Sequence, residues 1–74
     1  MVPRVTTGRT PEIVKGFRES RGWSREKLAA EAGVSLATVQ RLETGTYPRV
    51  EHLVQVADAL GVSVDEILGR IRQA

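Results

Sequence analysis

The 74-residue chain has no cysteine, so neither a disulfide bond nor a thiolate metal site can hold it together. Its folding must therefore rest on side-chain packing. The chain has no apolar run that approaches the ~20 residues of a membrane-spanning helix, and its N-terminus lacks the apolar core of a signal peptide. These absences predict a soluble protein that is not exported, and a reducing cytoplasm is the expected location.

Aromatic side chains are scarce, with one each of tryptophan, tyrosine and phenylalanine. Trp23 precedes a serine that can cap a helix and has no aromatic neighbour in sequence, so we expect it in the core rather than in a platform for stacking bases. His52 is the only histidine and has no cysteine or second histidine to share a metal with. The sequence therefore predicts no zinc site.

The patterns that carry catalysis are missing too. The chain has no Cys–His pair, no supported Ser–His–Asp arrangement and no glycine-rich phosphate loop between a strand and a helix. A chain of this length buries only about 60–65% of its surface on folding, which leaves little room for a deep catalytic cleft. We expect one binding domain without enzymatic activity, cofactor or small-molecule ligand.

Charge is unevenly distributed along the chain. The formal net charge is only +2, which by itself barely argues for a polyanionic partner. Residues 1–49, however, carry nine Lys or Arg against five acids, whereas residues 50–74 carry two Arg against four acids. The basic charge therefore lies with the first part of the chain, where a polyanion would bind.

Residues 24–45 contain the pattern that decides the predicted function. Gly33 lies where a helix end needs a positive φ, and Ser35 can cap the helix that follows. The pattern indicates two short helices that cross steeply around a tight turn at residues 33–35, which is typical of a DNA-reading helix-turn-helix. The apolar residues spaced to form their shared core are Leu28, Ala32, Val34, Val39 and Leu42.

The whole chain predicts five helices and no strand. Residues 1–9 have no periodicity and are interpreted as a flexible arm. The first helix is expected from the cap Thr10 to about Arg21, and the fourth over about residues 50–60. The fifth is expected over about residues 64–68, opened by a capping box of Ser63 and Glu66. Residues 10–69 then form one all-α domain, and residues 70–74 form a tail or the end of the last helix.

Ordered matches run from about residue 11 to residue 68. They are FRESRGWS at 17–24, LA at 28–29, GVS at 33–35, ETG at 43–45, LGVS at 60–63, and the single residues Pro48, Leu53 and Ala57. In this order they resemble the phage-repressor and Cro type of helix-turn-helix domain. The resemblance implies a compact five-helix, lambda-repressor-like fold in a bacterial or phage-encoded, nucleoid-associated regulator of transcription. It also implies a homodimer on a palindromic double-stranded DNA operator, and a salt bridge between Arg18 and Glu43.

The resemblance further implies that the helix after Ser35 lies in the major groove. Arg41 can present two donors to the O6 and N7 atoms of guanine, unless it is simply a solvated arginine. Gln40 is either a base contact or an exposed residue. Leu36 and Ala37 stand where family members often carry polar base readers; they can pack on thymine methyl groups or belong to the ordinary surface.

A second set of residues is suited to the DNA backbone. Arg25 stands in the first turn of its helix, where the family often carries glutamine, and a phosphate would offset its unfavourable interaction with the helix dipole. Arg49 stands in the cap position of the fourth helix, where Ser, Thr or Asp is expected. Plain surface charge is the alternative for both. The other expected backbone contacts are Thr38, Thr44, Thr46 and Tyr47. If the N-terminal arm has a function, Arg4 and Arg9 could contact the minor groove or the backbone of the DNA.

Two other functions remain open from the sequence. The same fold serves as a protein-interaction module, such as an antitoxin that neutralises a toxin, in which case Leu36, Ala37 and Ile71 would serve a protein surface. The chain could also be the DNA-binding domain of a longer regulator. For the homodimer, Ile67, Leu68 and Ile71 are candidate contacts, although the first two fit a core role equally well.

Overall fold

A computed structural model describes residues 9–45 and 49–69. Within these ranges the chain forms five α-helices and no strand, which confirms the predicted all-α class and lambda-repressor-like arrangement. The helices are α1 (Thr10–Ser20), α2 (Arg25–Ala32), α3 (Leu36–Thr44), α4 (Val50–Leu60) and α5 (Val64–Ile67).

Three serines begin three of the helices as predicted. Ser24 accepts a hydrogen bond from the backbone N–H of Lys27, and Ser35 accepts one from Thr38. Ser63 accepts from Glu66, whose carboxylate in turn accepts from the Ser63 N–H at 2.8 Å, which completes the predicted capping box. These bonds pair N–H groups that have no partner inside a helix, so the sequence itself determines where α2, α3 and α5 begin.

The bounds of α1 differ from the prediction by one residue at each end. Thr10 is not the cap but the first helical residue, and Arg9 occupies the cap position without a side-chain cap bond. Pro11 is compatible with either start, because the first helical N–H groups need no partner within the helix. At the other end Arg21 is the C-cap rather than part of the helix, and its side chain donates a hydrogen bond to the carbonyl of Leu60.

The core lies where the five helices meet. α2 packs against α3 and α4, while α1 packs against α3 and α5. Ile67 is fully buried, so its candidate role as a dimer contact is wrong and its alternative role in the core is correct. Trp23 is half-buried and packs against this core. The buried apolar residues are Val14, Leu28, Ala29, Ala32, Val39, Leu42, Leu53, Val56, Ala57, Leu60 and Ile67.

The turn between α2 and α3 sets the angle between the two helices. Gly33 has φ 72° and ends α2, and the N–H of Val34 donates to the carbonyl of Ala29 at 3.1 Å. These two features close α2 with a left-handed residue and a hydrogen bond back into its last turn, the usual way to stop a helix sharply. α3 then leaves in a new direction with one face uncovered.

Candidate nucleic-acid interface

The uncovered face of α3 is the centre of the candidate site. Ala37, Gln40, Arg41 and Thr44 are exposed, and Leu36 is half-buried. Arg41 makes no ion pair within residues 9–45 and 49–69, so its guanidinium faces solvent. The hydroxyl of Thr44 donates to the carbonyl of Arg41 at 3.2 Å, in the last turn of the helix. Among the described residues, this face therefore offers one cation without an ion pair, beside small and neutral side chains.

Thr38 does not belong to this face. Its exposed fraction is 7%, and its hydroxyl lies 3.0 Å from the hydroxyl of the cap residue Ser35. The outward placement that the sequence predicted for Thr38 is wrong, because the buried side of α3 extends from Val39 and Leu42 to include it. The side chain completes the helix cap, and its contact with a DNA phosphate stays a prediction.

One buried carboxylate joins three helices beside this face. Glu43 belongs to α3, and its side chain has no exposed surface. Arg18 of α1 donates from Nε to Oε2 at 2.6 Å and from Nη2 to Oε1 at 3.1 Å, so the ion pair implied by the family resemblance is present. Nη1 of Arg18 donates to the carbonyl of Trp23 at 2.7 Å, which also fixes the turn between α1 and α2.

Arg25 of α2 is the third member of a cluster that also contains Glu43 and Arg18. Its Nε donates to Oε1 of Glu43 at 3.0 Å, while its side chain remains 45% exposed. An arginine in a first helical turn needs an anion nearby, and the sequence suggested a DNA phosphate for this role. The protein itself supplies a carboxylate. The unfavourable position of Arg25 in the first turn of α2 was the only sequence feature that indicated an anionic partner. This feature does not distinguish a carboxylate from a phosphate.

The cluster holds Glu43 in its ionised form. Burial works against ionisation, but the hydrogen bonds and charges of Arg18 and Arg25 outweigh it, so the pKa of Glu43 lies below its ordinary value. The hydrogen bond from Arg18 to Glu43 raises the pKa of Arg18 despite the burial of its guanidinium. Glu19 of α1 also lies 4.0 Å from Nη2 of Arg18, so two cations and two anions meet around Arg18 and Glu43.

The remaining predicted backbone contacts are only partly described. Arg49 is exposed at the cap position of α4 without a capping bond, and its Nη1 lies 3.5 Å from a carboxylate oxygen of Glu51. No feature of the sequence indicated Glu51 as a neighbour of Arg49. Arg9 is exposed at the start of α1. Four residues with predicted roles in DNA binding or dimerisation lie outside the described ranges, namely Arg4, Thr46, Tyr47 and Ile71.

Residues 9–45 and 49–69 contain no cluster of His, Asp or Glu side chains placed to hold a metal ion. Across the same residues, none of the helices has both the length and the apolar character that a membrane span requires.

The helix-turn-helix family profile matches residues 14–67, from the first to the last of the five helices. The chain belongs to the Cro/C1-type helix-turn-helix family. This confirms the family resemblance that the sequence motifs indicated. The described helices and the matched residues cover the same part of the molecule, so the family assignment applies to the fold as well as to the short motif.

Two curated relatives fit this assignment. The cryptic phage CTXphi transcriptional repressor RstR of Vibrio cholerae is 39% identical over 60 residues, which span 80% of this chain and 54% of RstR. A protein of Halorubrum lacusprofundi, provisionally named an HTH-type transcriptional regulatory protein, is 38% identical over 69 residues, which span 85% of this chain and 21% of that protein. The chain thus spans about half of the first relative and a fifth of the second. No solved structure matches the chain significantly.

The family and the names of both relatives support the predicted class, a DNA-binding transcriptional regulator. They agree with the geometry of the candidate site, where the outer face of α3 carries Arg41 and no acid. Regulators of this family are typically not enzymes.

Proposed function

We propose that the chain binds a specific double-stranded DNA sequence as a transcriptional repressor, with α3 in the major groove. The observation that carries this proposal is the composition of the uncovered face of α3. The only acid of this helix, Glu43, is turned inward, and Arg41 stands on the outer face without an ion pair among the described residues. A helix face without exposed carboxylates is what a polyanion requires.

Roles follow from the chemistry of each side chain. Arg41 reads a guanine edge with two donors, Gln40 contacts a neighbouring base, and Leu36 and Ala37 pack on thymine methyl groups. Arg25, Thr44 and Arg49 contact the DNA backbone, and such contacts fix register without reading sequence. We assign the same backbone role to Thr46 and Tyr47 on the basis of sequence alone.

A homodimer on a palindromic operator completes the proposal. One reading helix specifies only a few base pairs, so two copies related by a two-fold axis, with half-sites about 34 Å apart, provide the needed discrimination. The repressor role is supported by the similarity to RstR, which is named as a transcriptional repressor. A DNA-binding protein of this kind acts in the cytoplasm, needs no cofactor and catalyses no reaction.

Selection of bound sequences from a random duplex library tests the proposal. We expect an enriched palindrome, and binding to it, followed by fluorescence anisotropy, should weaken steeply as salt rises because counterions are released. Arg41→Ala should relax the preference for guanine at one position of each half-site. Lys15→Ala is the matched control, since it removes an exposed cation of α1 outside the candidate interface. Equal weak binding to every duplex would contradict the proposal.

One observation favours a second function, a protein-interaction module. Val50 and Val54 lie one turn apart on α4, and their exposed fractions are 72% and 49%. Exposed apolar pairs of this kind can belong to a protein interface. If this function is the correct one, Val54→Ser should weaken capture of a protein partner, and binding to DNA should be weak and nonselective.

A further inference from the structure

The carboxylate of Glu43 holds two arginines, and they differ in their access to solvent. The Arg18 side chain is 9% exposed and uses Nε, Nη1 and Nη2 in hydrogen bonds to Glu43 and to the Trp23 carbonyl. The Arg25 side chain is 45% exposed and uses Nε alone. All three guanidinium nitrogens of Arg18 therefore donate hydrogen bonds within the protein, whereas Arg25 donates from one nitrogen only.

The unused half of Arg25 has a defined geometry. A guanidinium is planar and presents five N–H donors along fixed edges. With Nε committed to Oε1 of Glu43, the edge formed by Nη1 and Nη2 has no partner among the described residues. That edge matches two oxygens of a phosphate group, and bidentate contacts of this type are the strongest that arginine makes with anions.

We propose that Glu43 is a positioning residue for DNA binding, which fixes the guanidinium of Arg25 so that its Nη1–Nη2 edge receives a phosphate of the DNA backbone. This inference rests on the proposed function. Because Glu43 belongs to α3, the same carboxylate ties the backbone contact of α2 to the helix that reads the bases. A phosphate bound by Arg25 is then linked to α3 through the hydrogen bond between Arg25 and Glu43. This link sets the register of α3 on the DNA.

This arrangement differs in its consequences from a purely electrostatic one. Glu43 is an anion close to a polyanion, so its neutralisation should strengthen DNA binding if only net charge matters. If Glu43 positions Arg25, its neutralisation should instead weaken binding, because Arg25 loses the bond that orients it. A double-mutant cycle between the two positions separates this effect from any loss of folding.

The test uses Arg25→Gln, Glu43→Gln and the double variant, each with the selected duplex in anisotropy titrations over a salt series. Circular dichroism first establishes that the variants are folded. We expect Arg25→Gln to weaken binding roughly tenfold in the wild-type background, the scale of a charged hydrogen bond, and less than about twofold in the Glu43→Gln background. It should also reduce the slope of log K against log salt by about 0.9. Equal losses in both backgrounds would overturn the inference.

Arg25→Lys keeps the test valid if Glu43→Gln does not fold. Lysine retains the charge but has no fork that can hold Glu43 and a phosphate together. We expect the salt slope to be kept and the affinity to fall about fivefold, on the scale of one ordinary hydrogen bond. Wild-type affinity in this variant would overturn the inference.

Lys27→Gln is the matched control, because Lys27 lies in the same turn of α2 but is paired with Glu31 at 2.9 Å. Its salt slope should not change, and a change equal to that of Arg25→Gln would overturn the inference as a general charge effect. Failure of the wild-type chain to select any duplex would overturn the proposed function and this inference together. Selective binding in which Arg25→Gln causes equal losses in the wild-type and Glu43→Gln backgrounds would overturn the inference alone.

Discussion

Glu43 is the residue on which the candidate interface depends most. Its buried carboxylate receives three hydrogen bonds from two arginines and joins α3 to α1 and α2. A buried ion pair of this kind need not be more stable than an apolar contact. Removing one partner is nevertheless strongly unfavourable, because the other charge stays buried without a partner.

Glu43→Gln should therefore destabilise the fold by about 3 kcal/mol, because Arg18 keeps its charge in a nearly closed site. Urea unfolding followed by circular dichroism measures the change. The matched control is Glu31→Gln, which removes a carboxylate from the exposed pair with Lys27 and should change the stability by less than about 1 kcal/mol. Equal effects of the two substitutions would contradict the structural role of Glu43.

The same carboxylate predicts a pH dependence. The pKa of Glu43 is lower in the folded state than its ordinary value of 4.5, so the unfolded state takes up the proton first as pH falls. The stability that the ion pair contributes is thus fully present above pH 4.5 and is lost as pH falls through the lower folded pKa. The difference in unfolding free energy between the wild type and Glu43→Gln should be constant near neutral pH and shrink in acid. A difference that grows in acid would contradict this assignment.

At the scale of helices, the turn between α2 and α3 positions the reading helix. Gly33 has φ 72°, and a Cβ placed on it would lie 3.9 Å from the nearest atom, Nε2 of Gln55. Space is therefore available, and the cost of a side chain is conformational. Gly33→Ala should destabilise the fold by about 1–2 kcal/mol, and Gly33→Asn by less, because asparagine tolerates the left-handed region better.

Gly16 is the matched control for this prediction. It lies inside α1, does not have a positive φ, and a Cβ placed on it would meet open space. Gly16→Ala should stabilise the fold by about 0.5–1 kcal/mol, since alanine has the higher helix propensity. Thermal unfolding of both alanine variants measures the contrast. Destabilisation by Gly16→Ala, or no effect of Gly33→Ala, would contradict the helix bounds described above.

The helices could be predicted closely from the sequence because their signals are local. Ser24, Ser35 and Ser63 cap the helices that follow them, and Gly33 ends α2 as expected. Each signal acts within a few residues of the bond that it forms. The start of α1 was predicted one residue late, because Pro11 fits either of two starting residues.

At the scale of the whole molecule, the candidate site could be predicted only in part. The outer face of α3 follows from helical periodicity, but the partner of Arg25 depends on how α2 and α3 pack. Arg25 and Glu43 are separated by 18 residues, and no local pattern links them. Thr38 was misplaced for a similar reason, since the width of the buried side of α3 is set by its neighbours. The pair of Arg18 and Glu43 was accessible through the family resemblance alone.

The outer face of α3 is proposed to read bases, and Arg41 is the residue through which this role is best tested. The wild type and Arg41→Ala are titrated with the selected duplex and with duplexes in which single guanines are replaced by 7-deazaguanine, which lacks the N7 acceptor. We expect one replacement in each half-site to weaken wild-type binding roughly tenfold or more and to leave Arg41→Ala unaffected, because the same contact is already lost. Equal losses for both proteins at every guanine would contradict base reading by this face of α3.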